Sequence, residues 1–93
     1  MGISYIYSYG YYLYFIISQI FRRIKDLRED NDLKQENLAQ YLNIKQSTYS
    51  NYETGKINVT IETFIKLAQY YNTSIDYLTG LTDEHKPYPK SKK

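Results

Sequence analysis

Apolar positions recur at helical spacing along most of the chain after residue 18, and the runs they form are short. Ile20, Phe21, Ile24 and Leu27 fall on one face of a first segment whose other face carries Arg22, Arg23, Lys25, Asp26 and Glu29. Leu38, Ala39 and Leu42 make a single stripe on a second segment, with Gln35, Glu36, Asn37 and Gln40 around it. From Lys45 to Glu53 the only large apolar side chains are Tyr49 and Tyr52, three apart, while Gln46, Ser47, Ser50 and Asn51 point the other way. Phe64, Ile65, Leu67 and Ala68 form the apolar side of a fourth segment running to Tyr71, and Ile75, Leu78 and Leu81 return to the core from a short fifth. The pattern predicts five helices and no strand.

The residues between these segments predict where each helix starts and stops. Asp30, Asn31 and Asp32 end the first, and Leu33 re-enters the core. Asn43 ends the second, where a left-handed residue is needed and Asn tolerates that conformation well. Gly55 closes the third, Asn72 the fourth and Gly80 the fifth. Thr60 and Ser74 supply hydroxyl N-caps, and Asp76 places a negative charge in the first turn of the last helix.

Charge and composition divide the chain into three parts. Residues 1–17 belong to an uncharged run that extends to Phe21 and holds six of the thirteen tyrosines. The run lacks the basic start and the cleavage site of a secretory signal, and its tyrosines, serines and glycines dilute the hydrophobicity that a membrane span needs. It is expected to be an extension packed on the domain, or a segment that arises because the start codon is set too far upstream. Residues 18–81 form the folded domain, and residues 82–93, with two prolines and four lysines, are expected to be a basic disordered tail. The surplus of the formal net charge of +2 sits in that tail, since positions 22–81 hold eight basic and eight acidic residues. Ninety-three residues allow one small domain. The absence of cysteine excludes a disulfide framework and any thiolate metal site, and makes a reducing interior the natural compartment.

No catalytic constellation is present. The single histidine, His85, lies in the tail without a partner, and the four glycines form no phosphate-binding loop. No metal and no cofactor are expected, and the chain is not read as an enzyme. Its function must therefore be binding. The segment 45–53 is thin and polar enough to enter a DNA major groove: Gln46 and Asn51 carry amides able to bond an adenine edge at two points, and Ser47 and Ser50 let the backbone come close.

The stretch from Leu33 to Gly55, LKQENLAQYLNIKQSTYSNYETG, resembles the helix-turn-helix of the Cro and phage-repressor type, the XRE family. Leu33, Gln35, Leu38, Ala39, Leu42, Ser47, Thr48, Tyr52, Glu53, Gly55 and Lys56 carry the resemblance. It continues through residues 61–80 and back through FRRIKDLRED at 21–30, covering about two-thirds of the chain. It implies an all-α, five-helix, lambda-repressor-like DNA-binding domain, here with a Tyr-rich N-terminal extension. By this resemblance Gln46, Ser47 and Asn51 are base-reading residues, and Ser50, on the same outward face, is read with them. Arg28, Lys34, Gln35, Lys45, Thr54 and Lys56 are expected at the DNA backbone or supporting the contact, and Arg28 is expected to form a structural salt bridge with Glu53.

Three positions depart from the family pattern. Lys34 and Lys45 stand at helix starts where Ser or Thr is usual; losing a good N-cap costs about 0.5 to 2 kcal/mol, so these lysines are read as phosphate contacts. Tyr49 replaces a smaller aliphatic residue, and its hydroxyl needs water or a partner. The resemblance further implies a cytoplasmic, nucleoid-associated transcriptional regulator acting as a repressor, a homodimer on a palindromic double-stranded operator, with no membrane partner. No effector domain is expected, because the chain ends soon after the fifth helix. The rival expectation is a protein-interaction module of the same fold, an antitoxin or membrane-anchored adaptor that uses the Tyr-rich N-terminus.

Overall fold

The structure, a computed structural model, describes residues 18–91. The extension assigned to residues 1–17 lies outside the described residues. Five helices follow one another: α1 over residues 18–30, α2 over Gln35–Leu42, α3 over Gln46–Thr54, α4 over Ile61–Tyr71 and α5 over Ile75–Leu78. Among the described residues there is no strand. The third helix begins and ends one residue later than its apolar pattern suggests, with Lys45 as its N-cap.

Each helix stops at a left-handed residue that turns the chain back on itself. Asp32, Asn43, Gly55, Asn72 and Gly80 all have φ between 53 and 79°. Beyond each of them the next N–H reaches back to a carbonyl five residues earlier, as from Leu33 to Arg28, Ile44 to Ala39, Lys56 to Asn51, Thr73 to Ala68 and Leu81 to Asp76. This satisfies carbonyls that the helix end would otherwise leave open. The starts of α4 and α5 are capped as the sequence predicts: Thr60 Oγ1 accepts from the Thr63 N–H at 3.1 Å and Ser74 Oγ from the Tyr77 N–H at 3.0 Å.

Short helices cannot hold themselves in water, so burial of their apolar stripes supplies the stability. Ile24 and Leu27 of α1, Leu38, Ala39 and Leu42 of α2, Tyr49 and Tyr52 of α3, Phe64, Leu67, Ala68 and Tyr71 of α4, and Leu78 of α5 form one core. Ile20, Leu33, Ile44, Val59, Ile75 and Tyr77 pack around it. Each fully buried large side chain contributes about 1.5 to 3 kcal/mol. Two residues expected in the core are outside it. Ile65 is 43% exposed because it lies one turn from Ile61 on the outer face of α4, and Leu81 is 67% exposed because Gly80 turns the chain away before it.

The tail also differs from expectation. Instead of leaving the domain, residues 82–91 are held to it by their own polar atoms. The Thr73 hydroxyl donates to the His85 carbonyl at 2.6 Å, and the Tyr88 hydroxyl donates to Asp76 Oδ2 at 2.6 Å. The His85 ring meets the Tyr77 ring edge-on, and Arg23 lies over Tyr77 while pairing with Asp83 at 3.3 Å. His85, expected to lack a partner, thus has one in α5. Composition misses this because isolated aromatic and hydroxyl contacts leave no periodic trace in a sequence.

Gly55 is constrained twice. Its φ of 77° favours a residue without a side chain, and a Cβ added there would collide with the Phe21 ring of α1, whose Cδ2 and Cζ would lie 2.8 Å away. Gly55→Ala should therefore cost about 1 to 3 kcal/mol, more than the ordinary penalty of leaving a left-handed cap. Chemical denaturation of the two proteins measures this directly; a loss under about 0.5 kcal/mol, the size of a neutral surface change, would mean that α1 does not bear on the end of α3.

Candidate nucleic-acid interface

The face of α3 that points away from the core is built from small polar residues. Tyr49, Tyr52 and Glu53 are buried, whereas Gln46 and Ser47 are exposed and Ser50 and Asn51 half-buried. None of the side chains of these last four makes a hydrogen bond among the described residues. The structure thus presents two amides and two hydroxyls on one helix, all with unused donors and acceptors. Thr54, expected among the supporting residues, turns its hydroxyl back onto the Ser50 and Asn51 carbonyls at 3.2 and 3.4 Å, so it closes the helix rather than reaching outward.

A charged clamp fixes the orientation of this face. Arg28 Nε donates to Glu53 Oε2 at 2.7 Å and Nη2 donates to Oε1 at 3.0 Å, a two-point contact between α1 and α3. The remaining Nη1 donates to the Leu33 carbonyl at 3.0 Å, and Gln35 Nε2 donates to Glu53 Oε1 at 3.1 Å. One carboxylate therefore ties α1, the first turn of α2 and the α1–α2 loop to α3. The salt bridge implied by the family resemblance is formed, and its Glu53 side chain is only 2% exposed. Gln35 spends its amide N–H on the carboxylate, which makes it a brace within the domain.

The electrostatics follow from this geometry. Burial disfavours the Glu53 charge and is the largest influence on it. Opposing that, the donors around it, Arg28 above all, hold the carboxyl below its ordinary value of 4.5. The Arg28 guanidinium is raised in turn, chiefly by its bond to Glu53. Beside this pair the Tyr49 hydroxyl is buried without a partner of good hydrogen-bond geometry, as is that of Tyr71. Burial first, and then the hydrogen-bonding and charge of the nearby Glu53 carboxylate, push Tyr49 far above the usual phenol range. Tyr49 thus remains a neutral core ring set beside Glu53.

The lysines expected at the DNA backbone stand at exposed positions. Lys34 and Lys45 are the N-caps of α2 and α3, and neither side chain makes a capping bond. At α2 the missing cap is partly replaced by Asn37, whose Oδ1 accepts from the Lys34 N–H at 2.8 Å, the reciprocal half of a capping box. That residue escapes a search for caps at the usual position, although its spacing of three from Lys34 is the available signal. Lys56 follows Gly55 at the other end of α3, and none of the three ammonium groups has an ion-pair partner among the described residues. Among those residues there is also no group of His, Cys, Asp or Glu that could hold a metal ion.

Residues 24–78 match the family model described as Helix-turn-helix. The chain is 35% identical over 66 residues to the uncharacterized HTH-type transcriptional regulator YobD of Bacillus subtilis, covering 71% of this chain and 59% of that protein. It is 40% identical over 58 residues to the cryptic phage CTXphi transcriptional repressor RstR of Vibrio cholerae, covering 62% and 52%. To antitoxin HipB of Escherichia coli it is 34% identical over 74 residues, covering 80% of each. Among solved structures, a transcriptional regulator from Listeria innocua superposes with a TM-score of 0.65 at 32% identity, over 70% of this chain and 61% of that one. The chain thus spans between half and three-fifths of the length of the first two relatives.

The clamp gives the domain a pH dependence whose sign is fixed. A carboxyl whose folded value lies below its unfolded one stabilises fully above the unfolded value, near 4.5, and loses that contribution as the pH falls through the folded value. Glu53→Gln should cost about 3 kcal/mol at pH 7 by leaving Arg28 without its counter-charge. The gap between variant and native protein should then narrow in urea titrations run at successively lower pH. Parallel pH profiles for the two proteins would show that Glu53 is not the group responsible.

Proposed function

The chain belongs to the helix-turn-helix family, and from that premise we propose that it is a sequence-specific DNA-binding transcriptional regulator that acts as a repressor. In this reading α3 lies in the major groove of double-stranded DNA with Gln46, Ser47, Ser50 and Asn51 toward the base edges. The observation that carries it is the pairing of unused amides and hydroxyls on one face of α3 with a buried two-point ion pair on the other. Base recognition needs donors and acceptors held at fixed angles, and a clamped helix supplies that rigidity before DNA arrives.

The neutral balance of positions 22–81 means that affinity rests on a few placed charges. Lys34, Lys45 and Lys56 flank the reading face at the two helix starts and at the end of α3. They meet phosphates and set the register, while the amides read sequence. A homodimer on a palindromic operator, in the cytoplasm and at the nucleoid, completes the proposal. No helix among the described residues is long and apolar enough to cross a membrane.

A second reading is favoured by one finding: the relative named antitoxin HipB matches over four-fifths of both chains. An antitoxin of this fold would hold a partner protein through another surface, so changes at Gln46 and Asn51 would leave that partnership intact.

The binding site should first be selected from a random DNA pool. Gln46→Ala and Asn51→Ala are then expected to lose about 1 to 3 kcal/mol on the selected site and little on random DNA. Equal losses on both would show that these side chains do not read bases. Lys34→Ser or Lys45→Ser should weaken binding to all sequences alike and make the dependence of log K on log salt shallower by about 0.9 per lost contact. A slope unchanged in both variants removes the phosphate role.

A further inference from the structure

The outer face of α4 carries a pattern that α4's own packing does not use. Ile61 is 69% exposed and Ile65, one turn on, is 43% exposed; Ile57, in the loop that leads from α3 to α4, is 37% exposed. Glu62 and Lys66 lie beside the two α4 isoleucines and pair with each other at 3.2 Å, both open to solvent. Two branched side chains one turn apart make a small continuous strip of hydrocarbon on this helix.

The exposed tyrosines already have partners. Tyr41 and Tyr70 face each other with ring centroids 4.7 Å apart, Tyr70 also meets Tyr71 edge-on, and the Tyr41 hydroxyl donates to the Lys66 carbonyl. Leu81, 67% exposed, is a single side chain in the turn after Gly80. Tyr88 spends its hydroxyl on Asp76. Ile61 and Ile65 are the two exposed aliphatic side chains that lie one turn apart on one helix among the described residues, and Ile65 also borders a groove lined by Pro87 and Tyr88 of the tail.

We infer that this ridge is the surface through which two copies of the chain pair, with α4 antiparallel to the α4 of its partner about a two-fold axis between positions 61 and 66. The order of residues supports a second copy rather than another partner because it is self-complementary. An antiparallel crossing that sets Ile61 of one copy against the partner's Ile65 also sets Glu62 against the partner's Lys66, and the two-fold repeats both contacts. A single helix face thereby supplies its own apolar and ionic complement. This inference rests on the DNA-binding reading for its purpose but not for its test.

The test uses full-length chains without DNA in sedimentation-equilibrium runs. The native protein should dimerise, and Ile61→Glu with Ile65→Glu should weaken dimerisation by at least about a hundredfold, with circular dichroism unchanged. The decisive arm uses charge. Glu62→Lys leaves two lysines one turn apart on α4, and Lys66→Glu leaves two glutamates there, so each variant alone should dimerise at least about tenfold more weakly than the native protein. Mixed in equal amounts, the two variants should form a heterodimer as tight as the native homodimer. Restoration on mixing cannot come from the pair within one helix, which neither variant contains. The inference is overturned by a native chain that stays monomeric at high concentration, including one that dimerises only when residues 1–17 are removed. It is equally overturned by a glutamate ridge that leaves the dimer intact, or by charge variants that do not recover on mixing. A dimer that binds no selected DNA would leave the inference standing and refute the DNA-binding reading.

Discussion

The Glu53 carboxylate is the point on which the arrangement of the first three helices depends. It is buried beneath α3, and a charge in that position is tolerable only while Arg28 grips both of its oxygens and Gln35 adds a third donor. Those partners come from α1 and from the first turn of α2, so the charge cannot be satisfied unless three elements meet at set distances. Apolar burial alone would hold α3 against the core, since Tyr49 and Tyr52 supply ample area, but it would do so without fixing the rotation of the helix about its axis. Directional bonds to one end of α3 remove that freedom. Interactions that add little net stability can in this way decide which residues face outward.

The same need explains the five left-handed turns. Helices of four to eleven residues in α2 to α5 can enclose a single core only if the chain reverses within two or three residues after each. Each reversal must close its own carbonyls, and the bonds that reach back five residues do so at every helix end. Gly55 carries an extra condition, since α1 lies against it. The end of α3 is thus held by Phe21 and its underside by Arg28, two residues of one helix seven apart, which lie on one face after two turns.

Much of this was legible in the sequence, because it depends on local rules. Helical period, hydroxyl N-caps and Asn or Gly at helix ends are properties of a few adjacent residues, and all five helices follow from them. The outward polar face of α3 was legible too, since polar residues on one side of a short helix need only the period to be seen. What escaped depends on where helices come to lie relative to one another. Ile65 and Leu81 are apolar at plausible core spacing, and only the packing angle of α4 and the turn at Gly80 decide that they face out. Gln35 carries an amide that could face DNA or Glu53, and the sequence does not separate the two. The contacts of His85 and Tyr88 join residues eight and twelve positions apart across a turn, with no repeat to announce them.

The exposed ridge of α4 and the small size of α3 bear on each other. Nine residues of helix span about 13 Å, or roughly four base pairs. Any four-base sequence recurs about every few hundred positions at random, and a genome offers about a million or more competing sites. On the proposed DNA-binding reading, one copy of this domain, however rigid the outer face of α3, could not find a single operator against that background. Sharpening α3 further would not help, because the limit is the number of bases touched. A second copy doubles that number and multiplies the discrimination, provided that its own α3 is held at one turn of DNA from the first. On that reading, a domain whose α3 is clamped from beneath gains from a pairing surface as rigid as the clamp, and a helix face is more rigid than a loop or a tail.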